Sequence, residues 1–319
     1  MKALVFLEQR GPDVTKSSLG VLSKCAEVAG GDVAAVLFGK GPLGPLADVA
    51  GTFGAATVHV VEHESLDPPM AQPCIDAVAR LVRDHGYDTV AFSTSVLASD
   101  VAAGLAARLG AGLNWDLVDV RDEGGALVGR RTALQESVMV EVGWRSAVRV
   151  ALFRSGAFEP HGGGGQPKVD GVAYDVPEPR VTVVSREVRE EEGASIEGAD
   201  VVVAGGIGLG SAEAFALAEE LAALLGGAVG ATRAAVYKGW YPRSAQVGQT
   251  GKSVAPKLYV ALGISGAVQH KVGMQNSKVI VAINKNPGAP IFEFSDLAVV
   301  GDVHVIVPKL IELLRARRG

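Results

Sequence analysis

Short apolar runs alternate along this chain with stretches of about a dozen residues at helical spacing, each closed by glycine, and this pattern constrains the fold more than any other feature. Residues 2–7, 32–38, 55–61 and 89–93 are apolar runs, and the helical stretches 18–29, 73–84 and 98–109 stop at Gly30-Gly31, Gly86 and Gly110. Parallel strands cannot be joined by a tight turn and need a crossover, so the alternation predicts βαβ units in an α/β fold. At 319 residues the chain exceeds the size at which one core usually splits, and two domains are expected. A charge run without an apolar face, Arg186-Glu-Val-Arg-Glu-Glu-Glu-Gly, reads as a solvated linker. The boundary is placed between Glu192 and Gly198. This gives an N-terminal α/β domain over 1–195 and a parallel-sheet flavodoxin- or Rossmann-like domain over 196–319, beginning with Val201-Val-Val-Ala.

Within the first domain, residues 126–134, 136–142 and 147–153 look like consecutive strands, expected as antiparallel additions to the parallel sheet. The run His161-Gly-Gly-Gly-Gly-Gln-Pro reads as a flexible loop. A phosphate cradle is the lesser reading there, because no strand-then-helix frame surrounds it.

Composition narrows the classes. With 48% hydrophobic and 20% charged residues the chain resembles an ordinary soluble protein. No apolar run reaches the roughly 18 residues of a membrane helix, so direct membrane insertion is not expected. The apolar start is too short for a secretory signal and reads as the first strand, with no transit peptide ahead of it. Cys25 and Cys74 lie in apolar, helix-like surroundings and are expected as buried free thiols in a reducing, cytoplasmic setting. From Ala199 onward lie 12 of the 30 Lys and Arg but only 8 of the 35 Asp and Glu. That part is net positive and the remainder net negative, which suits an anionic ligand such as a dinucleotide in the second domain. No nucleic-acid partner and no metal ligand set is expected.

Two glycine-rich turns follow strands in the second domain. Gly206-Ile-Gly208-Leu-Gly210-Ser, before a helix expected over 212–225, departs from G-x-G-x-x-G because Ser211 stands where the third glycine belongs. It reads as tight helix-on-strand packing rather than a nicotinamide site. Gly263-Ile-Ser-Gly-Ala-Val-Gln-His follows the strand 257–262. Ser265 is a candidate N-cap there, and its hydroxyl with the N–H groups of Gly266 and Ala267 could hold a diphosphate. Asn284 and Asp302 fall at carboxyl ends of neighbouring strands, where open α/β sheets bind ligands. The competing reading of Asp302 is the N-cap of a helix starting at Val303. Arg233, alone between apolar residues, is either a surface residue or a cation at the site. Gln246-Val-Gly-Gln-Thr-Gly-Lys offers amides, a hydroxyl and a lysine on one loop, the donors a flavin ring needs where negative charge develops on reduction.

These segments together resemble the electron transfer flavoprotein alpha subunit family. The resemblance is densest in Gly230-Ala-Thr-Arg-Ala-Ala-Val, Gln246-Val-Gly-Gln-Thr-Gly-Lys and Pro256-Lys-Leu-Tyr-Val-Ala-Leu-Gly-Ile-Ser-Gly-Ala-Val-Gln-His. It continues through Gly273-Met, Ser277-Lys-Val-Ile-Val-Ala-Ile-Asn, Ala289-Pro-Ile-Phe and Val300-Gly-Asp. Over the first domain it is looser.

The resemblance implies one FAD in the second domain. Thr250 would face flavin N5, His270 would lie near the C2 oxygen, and Arg233, beside Thr232, would lie over the ring. Arg233 and His270 would stabilise the negative charge of the reduced flavin. Val247, Gly248 and Gln249 would belong to the same loop. Ser265, Gly266, Ala267, Val268 and Gln269 would meet the diphosphate and its neighbouring chain, and Asn284, Asp302 and Val303 the adenosine half. The first domain would form the interface with a beta subunit, which in this family holds AMP or a second FAD. One-electron traffic needs no catalytic residue. Donors would be acyl-CoA and other flavoprotein dehydrogenases, as in fatty acid beta-oxidation, and the acceptor a membrane quinone reductase. Many members read Gly-Arg-Gly where this chain has Gly206-Ile207-Gly208, and their arginine would touch the flavin region and pair with an acidic residue of the partner. Ile207 can do neither. The alternatives are an electron-bifurcating relative, a flavin- or nicotinamide-dependent oxidoreductase subunit with its own substrate site, and a non-catalytic nucleotide-binding subunit.

Overall fold

The computed structural model describes residues 1–134, 138–173, 181, 183–185 and 196–318. The charge run at 186–193, most of the expected boundary between 192 and 198, and the first two residues of the strand expected over 136–142 lie outside them. The chain forms two compact units, Met1–Ser185 and Arg186–Gly319.

The first unit is built on β1 (Ala3–Phe6), α1 (Lys16–Ala29), β2 (Val33–Gly39), α2 (Gly44–Thr52), β3 (Thr57–Glu62), α3 (Ala71–His85), β4 (Thr89–Ser93) and α4 (Val96–Leu109). It continues with β5 (Gly112–Glu123), β6 (Ala126–Ala133), β7 (Val138–Val142), β8 (Arg149–Phe153) and β9 (Lys168–Gly171). These strands form one nine-stranded sheet in the order β9-β3-β2-β1-β4-β8-β5-β6-β7. Alternate residues of β1 face opposite cores: Leu4 and Phe6 join the α3–α4 side, Ala3 and Val5 the α1–α2 side. Glycine in the left-handed region ends α1, α3 and α4 at Gly30, Gly86 and Gly110, as the sequence predicts.

The structure corrects two expectations here. Residues 149–153 are not an antiparallel addition. They run parallel to both β4 and β5 and close the parallel part of the sheet. A strand buried on both faces carries a continuous apolar run that does not reveal its direction. Only β5–β6 and β6–β7 are antiparallel within this sheet. Nor does the glycine run hang free. Gly163 and Gly164 donate to the Thr52 carbonyl, and a Cβ on Gly164 would collide with backbone at Gly51 and Gly54. The glycines permit close packing on the end of α2 rather than flexibility.

The second unit comprises β10 (Val201–Gly205), α5 (Phe215–Leu225), β11 (Ala228–Thr232), α6 (Arg233–Tyr237), β12 (Gln246–Val247), β13 (Leu258–Leu262), α7 (Val268–Lys271), β14 (Ile280–Asn284), β15 (Leu297–Val300) and α8 (Val303–Arg318). All six strands are parallel, in the order β12-β11-β10-β13-β14-β15. Val203, Val260 and Leu262 pack under α5 and α8, while Val202, Ala204, Tyr259 and Ala261 face a second core containing Met274 and Ile291. The order reverses between β10 and β13, so their connections leave in opposite directions and open a crevice at the carboxyl edge.

Candidate functional site

Both glycine turns meet at that crevice. Gly205 ends β10, and the chain passes through a 3-10 turn at Ile207–Leu209 rather than directly into a helix; α5 begins only at Phe215, three residues after the expected start. Gly208 donates its N–H to the Gly263 carbonyl, and a Cβ on Gly263, at φ +62°, would stand 2.7 Å from Gly208 backbone. The first turn is therefore a packing device, but Gly206 and Gly208 pack against the second turn and brace it, rather than setting a helix on a strand as expected.

The second turn runs from Gly263 to Gln269. Ser265 is not an N-cap: α7 is a four-residue helix preceded by Ala267, and no side chain caps it. What the turn offers is backbone. The N–H groups of Ser265, Gly266, Ala267, Val268 and Gln269 make no hydrogen bond to a described residue. A run of consecutive backbone donors without partners among the described residues suits an anion.

A cavity of about 650 Å³ lies beside this turn, within the usual range for small-molecule sites. Of the residues singled out from the sequence, Thr232, Arg233, Val247, Gly248, Gln249, Thr250, Ser265, Ala267, Gln269, His270 and Asn284 line it. Gly266, Val268, Asp302 and Val303 do not. The sequence reading missed Tyr237, Asn286, Ala289 and Pro290 in the wall, which also includes Gln246 of the polar loop and Ile207 and Gly208 of the first turn. Gln246 had a signal, since it opens the polar loop, whereas the 286–290 segment reaches the wall only through the fold of the loop after β14.

Arg233 is the first residue of α6 and is exposed, so both readings of it hold in part. Its guanidinium lies 4.8 Å from the centre of the Tyr237 ring and donates to the Tyr237 hydroxyl at 3.3 Å. Thr232 caps α6, its Oγ1 accepting from the Ala235 N–H. Gly248, at φ +139°, lets the loop approach α7; a Cβ there would meet the Gln269 carbonyl at 2.7 Å, and Gln249 donates its N–H to that same oxygen. The Gln246 amide Nε2 donates to Thr250 Oγ1 at 3.2 Å, so the Thr250 hydrogen is left to point elsewhere. Gln246 Oε1 is buried with no partner among the described residues.

His270 is buried. Its Nδ1 lies 3.2 Å from the Val247 carbonyl, which only accepts, so Nδ1 carries the hydrogen. Nε2 lies 2.9 Å from the hydroxyl of the fully buried Tyr259 and accepts from it. Burial pushes the His270 pKa down to about 4, with the Val247 hydrogen bond opposing weakly. Burial therefore favours the neutral ring, and both its nitrogens are engaged by protein. Asn284 spends its side chain on backbone, donating to Ile264 O at 2.8 Å and accepting from the Asn286 N–H at 2.9 Å, which shapes the cavity floor. Asp302 caps α8, with Oδ1 accepting from the His304 N–H at 2.8 Å.

A six-stranded parallel sheet, a switch-point crevice and a row of free N–H groups define a two-domain α/β protein whose second unit is a dinucleotide-binding domain. The sequence comparisons then name its family. The chain matches the electron transfer flavoprotein domain over residues 3–179 and the electron transfer flavoprotein FAD-binding domain over residues 195–275. It is 40% identical to the electron transfer flavoprotein subunit alpha of Mycobacterium leprae, across all of this chain and 99% of that one. It is 42% identical to the Mycobacterium tuberculosis subunit alpha over the same shares, and 36% identical to that of Thermoanaerobacterium thermosaccharolyticum, over 98% of this chain and 97% of the relative. The chain belongs to the electron transfer flavoprotein alpha subunit family. Membership gives it an electron-transfer function, implies FAD binding in the second unit, and implies a heterodimer with a beta subunit. The site fits the cofactor: the free N–H groups suit a diphosphate, and the unpartnered Gln246 Oε1 and the Thr250 hydroxyl offer an acceptor and a donor to a heterocycle. None of the described helices is long and apolar enough to cross a membrane.

Proposed function

We propose that this chain holds FAD in the 650 Å³ cavity and passes single electrons from flavoprotein dehydrogenases, acyl-CoA dehydrogenases among them, to an acceptor such as a membrane quinone reductase. The observation that carries the reading is the unpaired N–H row of residues 265–269 beside a cavity walled by Arg233 and Thr250. FAD, when bound, supplies a ring that accepts and releases electrons one at a time. The N–H row receives the diphosphate. Thr250, held by Gln246, would donate a hydrogen bond from its hydroxyl to the ring, and Arg233 would supply a cation at the same wall. His270, neutral and fixed by Tyr259 and Val247, shapes the wall and contributes no charge. Asn284 at the end of β14, and Asp302 and Val303 at the start of α8, would take the adenosine half. None of these groups is a nucleophile or a general acid, and electron transfer needs neither.

Residues 1–195 supply the beta-subunit interface, and 196–319 the cofactor domain. The partner carries AMP in a simple carrier and a second FAD in a bifurcating one. A cytoplasmic setting fits two buried free thiols, Cys25 and Cys74, whose pKa burial raises to about 12. The test is the flavin and AMP content of the co-purified two-chain complex, followed by its reduction with an acyl-CoA dehydrogenase and substrate. One FAD per complex, reduced under those conditions, supports the assignment. A colourless complex sinks it.

A further inference from the structure

We propose that His59, His85 and Asp170, in the first unit, form a binding site for a divalent transition metal of borderline softness, Zn²⁺ being the simplest occupant. The three residues come from three elements: His59 from β3, Asp170 from β9 and His85 from the end of α3. Asp170 stands opposite His59 in the parallel register of β9 on β3. One ligand atom from each residue lies within 4.8 Å of the others. His59 Nδ1 and Asp170 Oδ2 are 3.1 Å apart. Two donors bonded to one tetrahedral zinc at about 2.0–2.2 Å stand roughly 3.3 Å apart, so this pair is already spaced for a shared ion. The His85 ring centre lies 4.8 Å from that of His59. His85 is exposed at a helix end, and its ring nitrogens make no hydrogen bond to a described residue. A swing of roughly 1–2 Å brings it to bonding distance.

The surroundings support ligation. Metal-bound imidazoles usually give their other N–H to an oxygen, and His59 Nε2 lies 2.7 Å from the Tyr87 hydroxyl. That hydroxyl can accept from Nε2–H, so the imidazole stays neutral on binding and only its tautomer changes, freeing Nδ1 for the metal. The charge balance selects the class of ion. Asp170 is the only carboxylate of the trio, and Lys2 lies over the Tyr87 ring at 5.4 Å. A hard cation such as Ca²⁺, which needs six or more oxygens, has too few here. Two imidazoles and one carboxylate suit Zn²⁺, Co²⁺ or Ni²⁺, with the fourth position left to water. Because β9 is the edge strand, the ion would pin that edge to β3 and α3.

The test uses the untagged co-purified two-chain complex, titrated with Zn²⁺ by calorimetry and with Co²⁺ by visible absorption above the flavin bands, stoichiometry being counted per copy of this chain. The expected result is one ion per chain, with weak Co²⁺ bands of nitrogen and oxygen ligation and no sulfur-to-metal band. His85→Ala and Asp170→Asn, both at solvent-accessible positions, should each weaken Zn²⁺ binding more than about tenfold. Zn²⁺ should raise the Tm of the parent chain but not of His85→Ala. A Cys25→Ser/Cys74→Ser chain should bind as the parent does. Stoichiometry below one at micromolar Zn²⁺, or binding that both ligand variants leave unchanged, overturns the proposal.

Discussion

Arg233 and His270 both line the cavity, and their environments give them opposite electrostatic roles. Arg233 is exposed at the cavity wall. Removing it as Arg233→Ala should lower the potential for the first electron while FAD stays bound. A cation a few ångströms from the ring at intermediate dielectric is worth a few kcal/mol, and solvent screening reduces this to about 1 kcal/mol, or several tens of millivolts. Redox titration of the complex decides it, and an unchanged potential would leave Arg233 as a surface residue. His270 is instead held neutral. Its folded pKa of about 4 lies below the ordinary 6.5, so the unfolded chain takes up the proton first as pH falls. Its contribution to stability is fully present above pH 6.5 and is lost between 6.5 and 4, on the order of 3 kcal/mol in all. Urea unfolding of flavin-free protein at pH 7 and pH 4.5 should therefore show a steeper loss for the parent than for His270→Gln. Equal losses would mean that the imidazole is not kept neutral.

At the scale of elements, one residue can serve both a helix and a ligand, and α8 permits a separation. Asp302 caps α8 through Oδ1, and it stands at the carboxyl edge where the adenosine half is proposed to lie. Asp302→Ala removes both roles and should cost about 1 kcal/mol of stability from the lost cap. Asp302→Asn keeps the cap, because asparagine is as good in that position, and removes the charge. If Asp302 binds the ribose, the Asn variant should keep its Tm, lose FAD faster on dilution, and show little change in flavin potential. Retention equal to the parent's would limit Asp302 to capping. The helices α1, α3 and α4 were legible because glycine stops and an apolar stripe are local signals. The direction of β8 was not, since its neighbours β4 and β5 come from sequence positions as much as 60 residues apart and the run itself is apolar throughout. The short helix α2, with Pro45 at its start, also escaped the sequence reading, and the helix start expected near Ser265 falls at Val268 instead, with no side-chain cap.

For the whole molecule, the antiparallel end of the first sheet bears on assembly. Trp115, Leu134, Val138 and Met139 are exposed there, with Trp115 57% and Leu134 77% accessible, and Arg131 lies over the Trp115 ring at 4.6 Å. Exposed aromatic and aliphatic groups beside an arginine have the composition of an interface centre. Obligate interfaces bury upwards of about 2,000 Å², so the chain expressed without its beta subunit should self-associate or precipitate and should lose FAD. Light scattering and flavin content, with and without the partner, test this. A monodisperse, flavin-loaded lone chain that exchanges electrons as fast as the two-chain complex would refute the dependence.

The sequence alone determined the α/β class, the family and most of the cavity wall, because βαβ periodicity, glycine stops and the loop from Gln246 to Lys252 are contiguous signals. The tertiary structure decided what depends on distant neighbours. It set the neutral state of His270, which follows from the burial around the ring, and the parallel insertion of β8. It turned the run from Gly162 to Gly165 into a packed segment, since the end of α2 approaches it closely. It also gathered His59, His85 and Asp170, which lie 26 and 85 residues apart in the chain, from two paired strands and the end of α3. Proton affinity, strand direction and ligand geometry are set by what surrounds a residue in space, and a one-dimensional pattern does not carry that information.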